Sequence, residues 1–95
     1  MTYRNEKLLK ACRSIECVNC GADDGTIVAA HQNEGKGMGM KAPDSRVMSL
    51  CFRCHSEYDQ GRTMTRDEKR AFAWEMMGRT YSAMIERGIL EVKRG

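Results

Sequence analysis

The chain has no long run of apolar residues, although it is 95 residues long. Without a run of about 18 or more apolar residues, no helix that spans a membrane is expected. A basic segment followed by an apolar core, the signature of a secretory signal peptide, is also missing, which favours a cytoplasmic protein. Internal repeats and low-complexity tracts are absent too. The sequence therefore predicts a single domain over residues 1–95.

The chain also has only a small excess of positive charge, because its 16 lysines and arginines are nearly balanced by 13 aspartates and glutamates. The formal net charge of +3 suits a polyanionic partner such as a nucleic acid. It is equally typical of a protein that is merely soluble. Composition alone therefore excludes a membrane protein and leaves the partner open.

Cysteine, in contrast, is abundant, with five in the chain. Cys17 and Cys20 form one C-x2-C pair, Cys51 and Cys54 form a second, and 30 residues separate the two pairs. In a reducing compartment two such turns supply four thiolates to a tetrahedral zinc ion. Four thiolates leave the ion no open position, so the predicted zinc is structural. Cys12 is expected to be a buried residue of the first helix, with exchange for Cys17 as a zinc ligand as the alternative.

A second interpretation of the same segment is covalent haem attachment, because residues 51–55 read C-F-R-C-H. Haem attachment of that kind requires export, for which the sequence gives no signal. It also leaves Cys17 and Cys20 without a role. Zinc is the better interpretation.

Periodicity and turn residues predict an α+β domain of helices and short strands. The expected elements are a helix over 2–13, a strand over 26–31, a glycine-rich loop over 33–41, a strand over 47–50, a helix over 52–60 and a helix over 65–88. Thr65 and Glu68 form a capping-box pattern at the start of the last helix. Its apolar face is expected to comprise Phe72, Met76 or Met77, Tyr81 or Thr80, Met84 and Ile85, and to be widened by Trp74.

The only two histidines lie beside the segments that carry the cysteines. His55 follows Cys54, and Asp59 lies four residues further, so the two side chains share one helix face. A histidine and a carboxylate can hold a divalent cation such as Mg²⁺ or Mn²⁺ and leave positions for water and phosphate. His31 ends the first strand, and a hairpin packed on the helix would turn it towards His55. Each residue alone could be a surface residue, but the combination favours phosphodiester hydrolysis with His31 as general base.

The pattern Cys17-x2-Cys20-Gly21, Ala30-His31, Leu50-Cys51-x2-Cys54-His55 resembles the zinc-containing HNH endonucleases. Over about residues 17–62, the alternating glycines and the stretch from Lys41 to Asp44 resemble more narrowly the small nucleases of phages and prophages. The resemblance implies a zinc-stabilised treble-clef or ββα-metal fold with flanking helices. It also implies hydrolysis of DNA in phage DNA processing or recombination.

Carried over to this chain, the resemblance implies that His31 is the general base. It implies that His55 and Asp59 bind the catalytic divalent cation, while the four cysteines hold structural zinc. Two positions differ from the family pattern, because Ala30 stands where many members have an aspartate or histidine ligand, and Arg46 stands at the place of the usual asparagine. Asp44, with Arg46, is the candidate to support the His31 segment instead.

Basic residues near the predicted site could contact the phosphate backbone of DNA. The candidates are Lys36, Lys41, Arg53 and Arg62. No segment resembles a helix that reads bases, so little sequence preference is expected. The alternative function is a non-catalytic zinc module that binds nucleic acid or a partner protein, and His31 and Asp59 distinguish the two, because a binding module needs neither a base nor a second metal site.

Overall fold

A computed structural model describes residues 3–32 and 42–93. The elements follow the chain as α1 (Glu6–Arg13), β1 (Val28–His31), β2 (Val47–Leu50), α2 (Phe52–Gln60) and α3 (Arg66–Glu86). The predicted α+β class is therefore confirmed. The glycine-rich loop, with Lys36 and Lys41, lies outside the described residues.

The two strands form an antiparallel sheet in which Val28 pairs with Leu50 and His31 pairs with Val47. Helix α2 packs against both strands. His31 shares its sheet face with Val47, which belongs to the cluster between α1 and α3, so the register does not support the expectation that the hairpin turns His31 towards His55. The first strand begins two residues later than expected because Thr26 contacts the start of α2 instead. Its hydroxyl accepts a hydrogen bond of 3.0 Å from the backbone N–H of Phe52, so Thr26 satisfies a free donor at the start of α2.

Helix α1 also begins later than predicted, at Glu6 rather than near residue 2. Asn5 is its N-cap, with an extended backbone and a side-chain oxygen that accepts a 3.1 Å hydrogen bond from the N–H of Leu8. Residues 3–5 are consequently free to bind the segment that leads into β2.

Helix α3 has the predicted capping box of Thr65 and Glu68, and the chain leaves it through Gly88 at φ +73°. Its buried residues are Ala73, Met76, Met77, Thr80 and Met84. The expectation that Trp74 and Ile85 belong to the apolar face is wrong, since they are 52% and 49% exposed. At about 100° per residue, both lie roughly 100° or more from the centre of the buried arc.

Two apolar clusters make up the core, one around the cysteine pairs and β2, the other between α1 and α3. A short polar network joins them. The N–H of Ser49 donates to the Thr80 hydroxyl at 3.0 Å, and the Ser49 hydroxyl donates to the Cys12 carbonyl at 2.6 Å. Cys12 is fully buried, as expected, and burial raises the pKa of its thiol. No helix in residues 3–32 and 42–93 is long and apolar enough to cross a membrane.

Because Met84 is fully buried between α1 and α3, its replacement by alanine opens a cavity in the second cluster. We expect Met84→Ala to lower the free energy of unfolding by about 2–5 kcal/mol. The neighbouring residue Ile85 is exposed and gives a matched control. Ile85→Ala should change the free energy of unfolding by no more than about 0.5 kcal/mol. Urea unfolding of both variants with zinc present measures the difference, and equal effects would contradict this packing of α3.

Candidate functional site

The four paired cysteines meet at one point of the fold. Their Sγ atoms all lie within 4.8 Å of one another, and the Sγ atoms of Cys20 and Cys51 are 3.7 Å apart. A zinc ion with four sulfur ligands at about 2.3 Å requires sulfur–sulfur distances of about 3.8 Å. The cluster can therefore hold a metal ion with little rearrangement, and its donor set and spacing fit zinc.

The first cysteine pair is shaped by a tight turn. The N–H of Gly21 donates to the carbonyl of Cys17 at 2.8 Å, and Gly21 has φ +79°, a conformation that favours glycine. The N–H of Cys17 in turn donates to the carbonyl of Ala22 at 2.9 Å. This turn directs Cys17 and Cys20 towards the same point.

The second pair lies at the start of α2, where Cys51 is the N-cap and Cys54 is in the first turn. The positive end of the helix dipole favours thiolates at these positions. Asn19 donates a side-chain hydrogen bond of 3.3 Å to the Sγ of Cys54. Arg53 hydrogen-bonds the thiol of Cys20, and the negative charge there raises the pKa of its guanidinium. A zinc ion with four thiolates carries a net negative charge, which these groups would offset.

Without a metal ion, the thiols of Cys20 and Cys54 differ in pKa. A backbone hydrogen bond from Ala22 is the main cause that lowers the pKa of Cys20 to about 6, whereas burial raises the pKa of Cys54 to about 12. A metal ion must therefore displace a proton from Cys54 to bind there.

A second polar site lies at the other end of the hairpin, where β1 ends. The Nε2 atom of His31 is 2.8 Å from the Oδ1 atom of Asp44, and the two side chains are 30% and 4% exposed. This direct contact is consistent with the sequence prediction that Asp44 supports the segment of His31.

The N-terminal segment holds the Asp44 carboxylate in place. Arg4 donates to Oδ1 at 2.9 Å, and the backbone N–H of Asn5 donates to Oδ2 at 2.7 Å. The backbone N–H of Asp44 donates to the carbonyl of Tyr3 at 3.0 Å. The hydrogen bond with His31 is the first cause that holds the pKa of Asp44 down at about 2, and the bonds from Asn5 and Arg4 add to it against the effect of burial.

These contacts fix which nitrogen of His31 carries a proton. With a pKa of about 2, the Asp44 carboxyl is ionised at neutral pH and can only accept hydrogen bonds. The Nε2 atom of His31 must therefore be the donor. In the neutral ring the lone pair then lies on Nδ1, and this atom is the one that can accept a proton.

His55 and Asp59 lie on α2 as predicted, where His55 is half-buried and Asp59 is exposed. His55 is not part of the metal cluster, which consists of cysteines alone. Within the described parts of the chain, that cluster is also the one group of three or more His, Cys, Asp or Glu side chains placed to share an ion. A catalytic cation on His55 and Asp59 stays a prediction in which water and phosphate complete the coordination.

Other candidate residues have different surroundings from those expected. The Arg46 guanidinium lies over the ring of Trp74, with its Cζ atom 5.9 Å from the ring centroid. Arg53 is held at the cysteine cluster, and Arg62 is exposed just beyond α2. The phosphate contacts predicted for Arg53 and Arg62 stay predictions.

Sequence reasoning missed several residues that build these sites, namely Arg4, Asn5, Asn19 and Trp74. Arg4 and Asn5 are separated from Asp44 by about 40 positions, so no local pattern connects them. A signal did exist for Asn5, since asparagine before an acidic residue and an apolar pair is typical of an N-cap.

We expect the purified protein to contain one zinc ion per chain, held by the four clustered cysteines. Cys54→Ser should lose the ion and much of the folded structure, because a structural zinc site supplies folding energy in small domains. Cys12→Ala is the matched control, since Cys12 lies outside the cluster, and it should keep the zinc. Elemental mass spectrometry and circular dichroism measure both, and a folded wild type without zinc would contradict the assignment.

Comparison of the chain with protein-family models, curated proteins and solved structures finds no match. The likeness to HNH endonucleases therefore depends on the motif residues themselves. Any function assigned to this chain has to be argued from the two sites just described.

Proposed function

We propose that the protein is a metal-dependent endonuclease of the HNH type that hydrolyses phosphodiester bonds in DNA. One observation carries the proposal, namely the contact of 2.8 Å between His31 and a buried, ionised Asp44. A histidine with one nitrogen fixed by a carboxylate and the other unprotonated is a general base. A module that only binds has no need for this arrangement.

The chemistry assigned to His31 follows from its tautomer. Nδ1 takes a proton from the water that attacks phosphorus, and the ring becomes an imidazolium. Asp44 stabilises that positive charge and keeps the ring in one orientation. Because Arg4 and Asn5 already fix the carboxylate, Asp44 needs no rearrangement during the reaction, which lowers the cost of forming the charged pair.

Residues His55 and Asp59 are assigned to the divalent cation, as the resemblance implies. A Mg²⁺ or Mn²⁺ ion held there would offset the negative charge that grows on the phosphate and on the departing oxygen. The positions of the two residues on α2 support the assignment, since a histidine and a carboxylate four residues apart share one face of a helix. Two of the four clustered cysteines, Cys51 and Cys54, lie at the start of the same helix, which a bound zinc ion would fix.

DNA is the proposed substrate because of the family resemblance and the basic residues close to the site. Contacts to phosphate carry no sequence information, so the enzyme should cut with little sequence preference. A role in phage DNA processing or recombination follows from the narrower resemblance to phage-encoded nucleases, and a reducing compartment fits the five free thiols.

The second candidate is a non-catalytic zinc module that binds nucleic acid or a protein. Ala30 favours it, because alanine cannot supply the metal ligand that many family members have before the base. The two functions make different predictions for cleavage, and both allow binding.

We expect the wild type to nick supercoiled plasmid with added Mg²⁺ or Mn²⁺ and His31→Ala to lower the rate by about 100- to 10,000-fold, the usual loss when a general base is removed. Zinc content and circular dichroism should stay unchanged. In the same assay His55→Ala should lose activity that extra Mn²⁺ partly restores. Equal cutting by wild type and His31→Ala would refute the proposed base, and binding without any cutting by the wild type would favour the zinc module.

Asp44→Asn tests how the base is positioned. The amide can donate to Nε2, which would place the proton on Nδ1 and block the base. We expect the cleavage rate at saturating DNA to fall by about 100- to 10,000-fold with little change in KM. Ser45→Ala is the control, since Ser45 is the exposed neighbour of Asp44, and it should keep the wild-type rate. An Asp44→Asn rate close to that of the wild type would show that the carboxylate has no part in catalysis.

A further inference from the structure

An exposed aromatic residue of α3 contacts Arg46, two residues after Asp44. Trp74, the sole tryptophan of the chain, is 52% exposed on α3, although the Arg46 guanidinium lies 5.9 Å from its ring centroid. Exposed tryptophan is costly in a small domain, because its large apolar ring could instead be buried in the core. The position therefore calls for a partner that covers the ring.

The backbone connects this pair to the His31–Asp44 site. The N–H of Gln32, next to His31, donates to the carbonyl of Arg46 at 2.9 Å, and Arg46 lies two residues after Asp44. The side-chain amide of Gln32, fully buried, has no hydrogen-bond partner in the described part of the chain. Arg46 thus lies on the segment that carries Asp44 and is bonded to the residue after His31, and its guanidinium contacts Trp74 on α3.

Helix α3 is held against the same segment. Two turns after Trp74, the hydroxyl of Tyr81 donates to the carbonyl of Ser45 at 2.6 Å. Tyr81 and Trp74 are seven residues apart and so lie on the same side of the helix. This contact holds α3, and with it the backbone of Trp74, against the turn that precedes β2.

We propose that Trp74 and Arg46 form a stacking surface for an unpaired base of the DNA substrate, next to the bond that is cut. This inference rests on the proposed nuclease function and names its substrate class: single-stranded DNA, or a duplex with an unpaired nucleotide at the cleavage site. An exposed indole can stack on any base, and an arginine beside it adds cation–π attraction and pairs with a phosphate. Bases inside an intact duplex are stacked on each other and cannot reach the ring.

The chemistry of the Trp74–Arg46 pair favours a nucleic acid over a protein partner. The Arg46 guanidinium lies at the indole ring, and Arg70 lies one turn before Trp74 on α3. A guanidinium beside an exposed ring suits a phosphate next to a stacked base. Tryptophan and arginine are also enriched where proteins bind each other, so a protein partner is the competing outcome of the test.

The single tryptophan makes binding directly observable. The full-length, zinc-loaded His31→Ala protein, which should not cut, is titrated with oligothymidylate and with a blunt duplex of the same length. We expect the single strand to quench the tryptophan emission and the duplex to leave it nearly unchanged, because only an unpaired base can stack on the ring. Equal quenching by both, or no quenching by either, would overturn the proposal.

Variants separate the ring from the general charge of the protein. In the same background, anisotropy of a labelled oligothymidylate should show that Trp74→Ala raises Kd by about 5- to 150-fold, whereas Trp74→Phe keeps most of the affinity. Ile85→Ala is the matched control, since Ile85 is also half-exposed and lies about 16 Å further along the same side of α3. The Ile85→Ala variant should bind the oligothymidylate with the affinity of the His31→Ala protein. An equal loss of affinity in both alanine variants would overturn the proposal.

Cleavage assays distinguish this inference from the nuclease proposal. With Mg²⁺ or Mn²⁺, the enzyme should cut a duplex with a single-stranded flap faster than a blunt duplex, and Trp74→Ala should remove that preference. Cleavage that depends on His31 but has no preference for unpaired DNA would overturn the stacking surface alone. Quenching by the single strand with no cleavage of any DNA would support the stacking surface and refute the nuclease.

Discussion

The convergence of four sulfur atoms within 4.8 Å is the constraint on which the rest of the structure depends. It joins a turn after α1 to the junction of β2 and α2, two segments that are distant in sequence. The elements around this junction are short, with four residues in each strand and eight in α1, so each contributes little packing by itself. Zinc would add free energy of folding at that junction, and it would fix the start of α2 and the strand end that leads into it.

The buried carboxylate of Asp44 has a comparable effect at the opposite end of the hairpin. Burying an ionised group is costly unless its oxygens are hydrogen-bonded, and here Arg4, Asn5 and His31 all donate to them. The cost of burial therefore explains why Asn5, just before α1, has an extended backbone. One interaction anchors the N-terminal segment and orients the candidate base, so stability and chemistry share the same contacts.

The sequence predicted those features that depend on local spacing. The cysteine pairs, β2, α2 and the capping box of α3 were all foreseen because each follows from residues a few positions apart. The early start predicted for α1 and the burial predicted for Trp74 were wrong, since both depend on contacts across the chain. The backbone N–H of Asn5 is hydrogen-bonded to Asp44. The residues of α3 that are buried are those that face β2 and α1, whether or not they are the most apolar ones. Arg46 shows the same limit, because no local pattern connects its guanidinium with the ring of Trp74.

The two ends of the hairpin differ in a way that bears on mechanism. At the cysteine end, the four thiols form a complete set of ligands. This set suits a structural ion and leaves no position for substrate. At the His31 end, a carboxylate held by Arg4 and Asn5 meets a ring that keeps 30% of its surface exposed. Rigidity and exposure together are what a site needs if it is to act on a polymer that it cannot enclose. The division of the small sheet into a closed metal end and an open polar end is therefore the structural reason to look for chemistry at His31.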